Sequence, residues 1–423
     1  MWHDMSSPPI DSKTTSPDDI AEPGFAERWS RRRRRRPSAL IPVIAMLIGV
    51  GTAGALFQHY LPEPTPPCAV TDFHRAVPNS GILFGVNLDW QSESLREHHD
   101  NLGHAPAVAV QFSDIPYNNQ TWSHTVAAAN QVRDERGIMV LTLEPHAGLA
   151  TITEGVVGRL GDDLRKLNDS GVPVILRFAH EMNGSWYAWG QQPRAYVETF
   201  RRVAAMVHRK APGTAMMWAP NYGGGYPFEG GKYVARRGTD NYRLADTNHD
   251  GKLTASDDSY APYYPGDDAV DWVGISLYHW GNRRPWGNND VSEPGKFTAM
   301  LEGRYNGTAG HDLTVPNFYQ IYGTQHQKPV AIVETAAIYT PARAAQGASE
   351  LAVKSTWWRQ VFAADIPSRY PMLKMINWFE WRKYEIEIKD VVDWRAAGSP
   401  DTRSAFVSSL PKWLDYANSV HPC

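Results

Sequence analysis

The feature that most constrains this chain is a regular alternation, from Gly81 onward, between short apolar segments and longer stretches of helical pattern. Such alternation is typical of βα units arranged around a parallel sheet. Several apolar segments are continuous rather than alternating, as expected for strands buried on both faces. Eight strands are predicted in this way, at residues 82–86, 107–112, 138–143, 174–178, 215–218, 272–277, 330–333 and 374–378.

The stretches between these strands carry the spacing of packed helices. In residues 196–210, for example, Phe200, Val203, Ala204 and Val207 recur at i, i+3, i+4 and i+7. Eight strands with intervening helices fit either a closed barrel or an open doubly wound sheet. No glycine-rich phosphate loop follows the first strand, and polar or aromatic residues trail nearly every strand. We therefore predict an α/β fold, a (β/α)8 TIM barrel over residues 81–423.

The N-terminal region has a different character. Residues 1–37 are rich in Ser, Pro and Asp and contain six consecutive arginines at 31–36, which predicts a disordered basic tail. An uncharged apolar run at 39–57 follows, so we predict a transmembrane helix, a signal anchor over 38–60, and a Pro-rich stalk over 61–80. The arginines hold the N-terminus in the cytoplasm, so the remainder is expected to be extracellular and tethered to the cell membrane. The alternative is a secreted protein, cleaved near Ala55.

The only two cysteines, Cys68 and Cys423, bracket the region that is expected to be exported. An oxidising compartment favours a disulfide between them over two free thiols. A closed barrel brings the ends of its chain to neighbouring positions, which makes this pairing geometrically plausible.

Two glutamates follow strands on opposite sides of the predicted barrel. Glu181 comes after the fourth strand, flanked by His180 and by aromatic residues that are expected to raise its pKa. Glu334 comes after the seventh strand. Two carboxyl groups about 5–5.5 Å apart across a barrel mouth are what a retaining glycosidase requires, one as acid/base and one as nucleophile. Each glutamate alone is more typical of a surface or ion-pair residue.

The segment RFAHEMNGSWYAWG at 177–190 closely resembles glycoside hydrolase family 26, and the resemblance extends over roughly residues 81–413. It implies a hydrolase with Glu181 as acid/base and Glu334 as nucleophile. It also implies that His146, His180, Tyr278 and Trp378 contact the substrate or support the catalytic glutamates. Trp378 would be the platform beneath a sugar ring, and Tyr278 would hydrogen-bond the nucleophile.

Several residues near this motif leave two interpretations open. Trp186 and Trp189 are spaced i, i+3, which is compatible with burial in the core, but their position after Glu181 favours sugar stacking. Arg177 is compatible with charge neutralisation in the barrel or with catalysis. His146 follows a proline and is also compatible with a structural histidine at the rim.

A separate motif lies in the long connection between the fifth and sixth strands. Residues 246–257 fit a Ca²⁺-loop pattern, with Asp246, Asn248, Asp250 and Asp257 at positions 1, 3, 5 and 12 and the Lys252 carbonyl at position 7. The sequence predicts a structural Ca²⁺ site in an insertion near 240–260. An acidic hydrated turn is the alternative.

The expected function is therefore retaining hydrolysis of a β-linked polysaccharide by double displacement, without a cofactor for the chemistry. β-1,4-Mannan is the expected substrate, and mixed-linkage β-glucan or an exopolysaccharide are the alternatives. The 16 Trp and 19 Tyr residues suit sugar stacking. A catalytically inactive carbohydrate-binding barrel is the alternative from another class. Mixed charges with a net charge of −3 argue against nucleic acid as a partner.

Overall fold

The computed structural model describes residues 68–76, 80–307 and 312–421. Eight parallel strands follow one another around a closed barrel, because β1 pairs with both β2 and β8. These strands are β1 Ile82–Leu88, β2 Val108–Asp114, β3 Ile138–Glu144, β4 Val174–Phe178, β5 Thr214–Trp218, β6 Trp272–Ser276, β7 Val330–Thr335 and β8 Leu373–Glu380. Each lies within two residues of its predicted position at both ends, so the predicted barrel is confirmed.

Three further strands lie beside the barrel. Two form an antiparallel hairpin after β8, and the third pairs in parallel with the first two residues of β1. They are β9 Arg382–Glu385, β10 Asp390–Asp393 and β11 Leu414–Asp415. The hairpin extends the chain above the C-terminal end of β8, on the face of the barrel where the strands end.

Helices cover the outside of the barrel. The α-helices are α1 Phe73–Ala76, α2 Leu95–Leu102, α3 Asn119–Asp134, α4 Glu154–Asp169, α5 Pro193–Lys210, α6 Asp240–Ala245, α7 Lys296–Leu301, α8 Glu350–Val361, α9 Ile366–Arg369 and α10 Pro400–Ser409. In α5 the predicted stripe of Phe200, Val203, Ala204 and Val207 is buried. Local sequence also determines where helices begin, since Ser94 and Glu97 form a capping box at the start of α2.

The core has two parts, as expected of a barrel with an outer helical layer. One cluster fills the space between strands and helices, and a smaller one lies inside the barrel. The smaller cluster also contains Phe73, from the segment before β1, and Val420, close to the C-terminus. The two ends of the barrel domain therefore meet in the same apolar cluster.

The described residues cover only part of the N-terminal segments for which predictions were made. The tail at 1–37, the membrane span at 38–60 and Cys423 lie outside the described residues, and no described helix is both long and apolar enough for a membrane span. The stalk prediction is wrong for residues 68–76. Val70 and Phe73 are buried, and their backbone N–H groups donate to Asn168 and Pro212, because apolar side chains at these positions pack onto the barrel.

Candidate active site

Glu334 lies near the end of β7, buried at the mouth of the barrel, with both carboxylate oxygens engaged. The Arg177 guanidinium, from β4, forms an ion pair with Oε1. The Tyr278 hydroxyl donates to Oε2 at 2.5 Å. Arg177 is itself fully buried and also donates to the Ser276 hydroxyl at 3.2 Å. The orientation of Glu334 is therefore set by groups from β4 and from the segment around the end of β6.

Glu181 lies just beyond β4 in a backbone conformation that is unusual for a residue with a side chain. Its φ is +53°, in the left-handed region, and its N–H donates to the Ala219 carbonyl at 2.8 Å. Such conformations cost on the order of 1–3 kcal/mol and concentrate at functional sites. The bend directs the chain over the barrel mouth, where the Trp186 indole N–H donates to Oε2 of Glu181 at 3.2 Å.

The electrostatic environment of Glu181 favours its protonated form. Burial, followed by the negative charge of Glu334, raises the pKa of Glu181 to about 7. Arg177, and hydrogen bonds from Ser276 and Trp186, act in the opposite direction but do not cancel this increase. The direction of this pKa shift is the one expected from His180 and the flanking aromatic residues, but burial and Glu334 cause it, and His180 is not among its causes.

Ser276 links the two glutamates, because it contacts both Glu181 and the Arg177 side chain that holds Glu334. The site therefore contains one carboxyl group that favours the proton and a second one that is ion-paired, on the same rim. This combination can supply a general acid and an anionic nucleophile to a single bond.

The two predicted histidines occupy different environments. His180 is buried beside Phe112, Tyr187 and Trp189, and burial, together with the positive charge of Arg177, holds its pKa well below the usual value. A neutral imidazole at this position packs among these three aromatic rings. His146 follows β3 and is partly exposed, with its Nε2 3.6 Å from carboxylate oxygens of both Asp114 and Glu144. It is accessible to a ligand in the cleft.

Of the two tryptophans in the motif, the structure brings only one to the surface. Trp186 is 38% exposed, and its ring lies over Gly184, where a Cβ atom would approach the ring to 2.3 Å. Trp189 is fully buried, stacks on Tyr187 at 4.3 Å and donates its indole N–H to the His180 carbonyl. The prediction that Trp189 stacks on sugar is wrong, because this side chain turns into the core and supports the motif from below.

The prediction for Trp378 is also wrong. Trp378 lies within β8 and is fully buried against Phe406 and Phe362, on the side of the strand that faces the helices. Side chains alternate between the two faces of a strand, and these contacts place Trp378 on the outer face of β8 rather than inside the barrel. The partly exposed Trp381, immediately after β8, stacks on Phe379 at 5.8 Å and is the better candidate for a sugar platform.

One functional residue, Ser276, was not identified from sequence, where it was treated only as part of a strand. Arg177 was named but left undecided between structure and catalysis. Ser276 and Tyr278 are two residues apart, a spacing that places them on the same side of an extended chain. This alternation could have indicated from sequence that Ser276 lies on the same face as Tyr278. The partner of Arg177, Glu334, lies 157 residues away, so their contact could be identified only in the folded barrel.

The predicted metal ligands lie apart from these carboxylates, in the connection between β5 and β6. Asp246 and Asp257 are buried at the two ends of the loop, and Asn248, Asp250 and Lys252 lie between them. The site of the glutamates and the loop are therefore separate features. Pairing of Cys68 with Cys423 stays a prediction, because Cys423 is not among the described residues.

Comparison with known proteins gives consistent relationships. Endoglucanase H of Acetivibrio thermocellus is 24% identical over 346 residues, which cover 78% of this chain and 31% of that protein. A mannan endo-1,4-beta-mannosidase of Bacillus subtilis is 25% identical over 144 residues, covering 32% of each. The matched regions thus span about a third of the length of these two relatives.

Solved structures share the fold. A modular endo-beta-1,4-mannanase from Cellulomonas fimi aligns with a TM-score of 0.53 at 14% identity, covering 84% of this chain and 78% of that chain. The catalytic domain of a Bacillus sp. JAMB-750 endo-beta-1,4-mannanase aligns with a TM-score of 0.50 at 17% identity, covering 82% and 90%. The sequence profile of glycosyl hydrolase family 26 matches residues 94–322, more than half of the chain. This chain belongs to glycosyl hydrolase family 26.

Proposed function

We propose that this protein is a retaining endo-β-glycanase in which Glu181 is the acid/base and Glu334 the nucleophile. The observation that carries the proposal is the contrast between the two carboxyl groups. Glu181 has a pKa raised to about 7, whereas Glu334 is ion-paired with Arg177 and bonded by Tyr278. A protonated acid and an anionic carboxylate are the two starting states that the first step requires.

In the first step, a carboxylate oxygen of Glu334 attacks the anomeric carbon of the sugar. The bond from that carbon to the glycosidic oxygen breaks, and its electron pair goes to the oxygen. Glu181 donates its proton to this oxygen, so the leaving sugar departs as a neutral alcohol. The product is a glycosyl ester on Glu334 with inverted configuration.

In the second step, the Glu181 carboxylate removes a proton from water while the water oxygen attacks the anomeric carbon. The ester bond to Glu334 breaks, and the carboxylate returns to its contacts with Arg177 and Tyr278. Two inversions leave the original configuration. Protons move only between Glu181, the leaving oxygen and water, so the proposed chemistry needs no cofactor.

The substrate that we propose is β-1,4-mannan, cleaved within the chain. Support comes from the relatives named mannan endo-1,4-beta-mannosidase, from the exposed Trp186 beside Glu181 and from the partly exposed Trp381 after β8. β-Glucan is the second candidate, because Endoglucanase H is the relative that matches the larger part of this chain. Apolar faces of either polymer can stack on indole rings.

The test combines stereochemistry with a substrate panel. Proton NMR during the first minutes of hydrolysis should detect the β-anomer of the new reducing end, and the panel should contain mannan, glucomannan, mixed-linkage β-glucan and β-1,3-xylan. An initial α-anomer would refute the retaining mechanism. Binding without release of reducing ends from any polymer would indicate the carbohydrate-binding alternative instead.

A second experiment separates the two roles. With an activated aryl glycoside and azide, Glu181→Ala should form the β-glycosyl azide, because the intermediate on Glu334 still forms and azide replaces water. Glu334→Ala should form the α-glycosyl azide in a single displacement. The reverse pattern would exchange the two assignments.

We also propose that the barrel is exported and held at the membrane by residues 38–60. The proposal rests on the apolar run and the preceding arginines of the sequence. Intact cells should expose the barrel to added protease, and the protein should stay in the membrane pellet after alkaline washing. Release of a shortened chain into the medium would support cleavage near Ala55 instead.

A further inference from the structure

The carboxylate of Asp246 is buried without full compensation. This side chain begins the connection after α6 and is only 7% exposed. Its Oδ2 atom accepts the Gly251 N–H at 2.9 Å, which directs the carboxylate into the loop. Its Oδ1 atom is also buried and accepts no hydrogen bond from any described residue. A buried carboxylate oxygen without a partner is unfavourable in the folded protein, and a bound cation would compensate it.

Other oxygen-bearing side chains of the same loop lie in the turn that Asp246 begins. Gly251 has φ of +80°, which turns the chain back toward Asp246. Asn248 and Asp250 lie in the turn, where their side chains accept the N–H groups of residues 250 and 252. Asp257 is 2% exposed, and its Oδ1 accepts the N–H of Thr247 at 2.7 Å. Both ends of the loop therefore carry buried carboxylates directed at its own backbone.

We infer that this loop binds one Ca²⁺ ion through Asp246, Asn248, Asp250, Asp257 and the Lys252 carbonyl. Oxygen ligands at positions 1, 3, 5, 7 and 12 of a twelve-residue turn suit a large hard cation. Mg²⁺ fits this donor set poorly, because it usually keeps several of its waters. The acidic composition of the loop is not the only support for a cation, because Oδ1 of Asp246 is also buried without a hydrogen bond.

The loop is connected to the catalytic rim through a short series of hydrogen bonds. Asp258, which follows the loop, donates its N–H to the Thr247 hydroxyl and accepts the Tyr260 N–H at 2.8 Å. The Tyr260 hydroxyl, which is buried, accepts the Gly223 N–H at 2.8 Å. The ion thus stabilises the segment that holds the region following β5.

That region in turn holds the Glu181 segment. Asn221 and Asn183 exchange two hydrogen bonds, at 2.8 and 2.9 Å, and Asn183 is two residues from Glu181. The metal therefore acts at a distance, by stabilising the rim, and does not contact the bond that is cleaved. This coupling rests on the proposed function, whereas the binding of Ca²⁺ does not.

Binding is tested without any activity assay. Terbium added to the metal-free protein should give sensitised luminescence, because the Tyr242 hydroxyl accepts the Leu253 N–H at 2.7 Å and places an aromatic donor beside the loop. Ca²⁺ should displace terbium. At a hundredfold excess over its Kd, Ca²⁺ should raise the Tm by about 3–4 °C, and chelation should reverse this.

Asp246→Asn should weaken Ca²⁺ binding at least about tenfold and therefore remove at least about half of the Tm increase at the same Ca²⁺ concentration. If this buried variant does not fold, the exposed Asp250→Ala provides the same test. Asp162→Asn, an exposed aspartate on α4 paired with Lys210, is the matched control and should keep the full response. Absence of Ca²⁺ binding by the wild type, or equal responses of all three variants, would overturn the site.

The structural role has its own test. Metal-free enzyme, assayed well below its Tm, should keep at least about a tenth of its activity, with the loss restored by Ca²⁺. Complete and immediate loss with an unchanged circular dichroism spectrum would place the ion in contact with the substrate and overturn the role at a distance. Binding and Tm measurements remain valid even if no polysaccharide is cleaved.

Discussion

Tyr278 and Glu334 are joined by a hydrogen bond of 2.5 Å from the phenol hydroxyl to Oε2. Arg177 binds the other oxygen of the same carboxylate, so neither oxygen of Glu334 is free to rotate away. During the proposed reaction this carboxylate changes from an anion to an ester and back. The contact from Tyr278 therefore positions the reacting group in both steps.

Tyr278→Phe should lower kcat by roughly tenfold to a hundredfold, with a small effect on the Tm. The variant removes one hydrogen bond that orients the nucleophile but keeps the ring packed at 5.0 Å from Trp394. Steady-state kinetics on a soluble polysaccharide is the measurement. Tyr416→Phe, which alters a phenol beside β11, is the control and should behave as wild type; an unchanged kcat in Tyr278→Phe would argue against the positioning role.

Glu181→Gln should lose most activity, by a factor on the order of 10²–10⁴, and should become more stable than wild type above pH 7. The folded state raises the pKa of Glu181 from 4.5 to about 7, so it holds a proton that the unfolded chain releases between these values. Stability therefore falls as pH increases through this window, and the amide avoids a loss of about 1–3 kcal/mol.

The measurement is the Tm of both proteins at pH 4.5 and pH 8. We expect a difference of several °C at pH 8 and little difference at pH 4.5. Glu334→Gln is the contrasting variant, and it should be less stable at both pH values because it leaves buried Arg177 without its anion. A lower Tm for Glu181→Gln at pH 8 would contradict the burial argument.

The pH dependence of kcat/KM should have its alkaline limb near pH 7, where Glu181 loses its proton in the free enzyme. Trp186→Phe should move this limb to higher pH. The indole N–H stabilises the charged form of Glu181, so its removal raises the pKa further. A limb that moves to lower pH, or remains in place, would show that the contact does not influence the proton on Glu181.

Trp186→Ala and Trp189→Ala form a matched pair that separates substrate contact from packing. Trp186 is 38% exposed, so its loss should raise KM with a change in Tm of only a few °C. Trp189 is fully buried, and its loss should cost about 3–5 kcal/mol and lower the Tm strongly. The measurements are the Tm of both variants and their KM on the same polysaccharide. Equal effects of the two substitutions would contradict the assignment of Trp186 to substrate contact and of Trp189 to packing.

Cys68 and Cys423 should form a disulfide in the exported protein. Phe73 and Val420 lie in the same apolar cluster, five residues from one cysteine and three from the other, so the two ends of the barrel domain meet. The loop closed is long, so the bond could contribute up to about 5 kcal/mol. Mass mapping under non-reducing conditions should find the linked peptides, and Cys423→Ser should lower the Tm without changing the product profile. Two free thiols would refute the prediction.

The sequence alone determined the barrel and its two glutamates. The eight apolar segments can be recognised from a few neighbouring residues each, because a strand that is buried on both faces consists mainly of apolar residues. The fourteen-residue motif can likewise be recognised within one short segment. The positions of Glu181 and Glu334 at the ends of β4 and β7 followed directly from that pattern. Their opposite placement followed from counting strands around a closed sheet.

Tertiary structure decided which side chains reach the cleft and which are held in the core. Trp186 and Trp189 belong to one motif, yet the turn after Glu181 exposes the first and buries the second. Trp378 and Trp381 differ in the same way, because side chains alternate within β8 and the strand ends before Trp381. The ion pair of Arg177 with Glu334 joins β4 to β7, and contacts over such a sequence separation exist only once the barrel has closed.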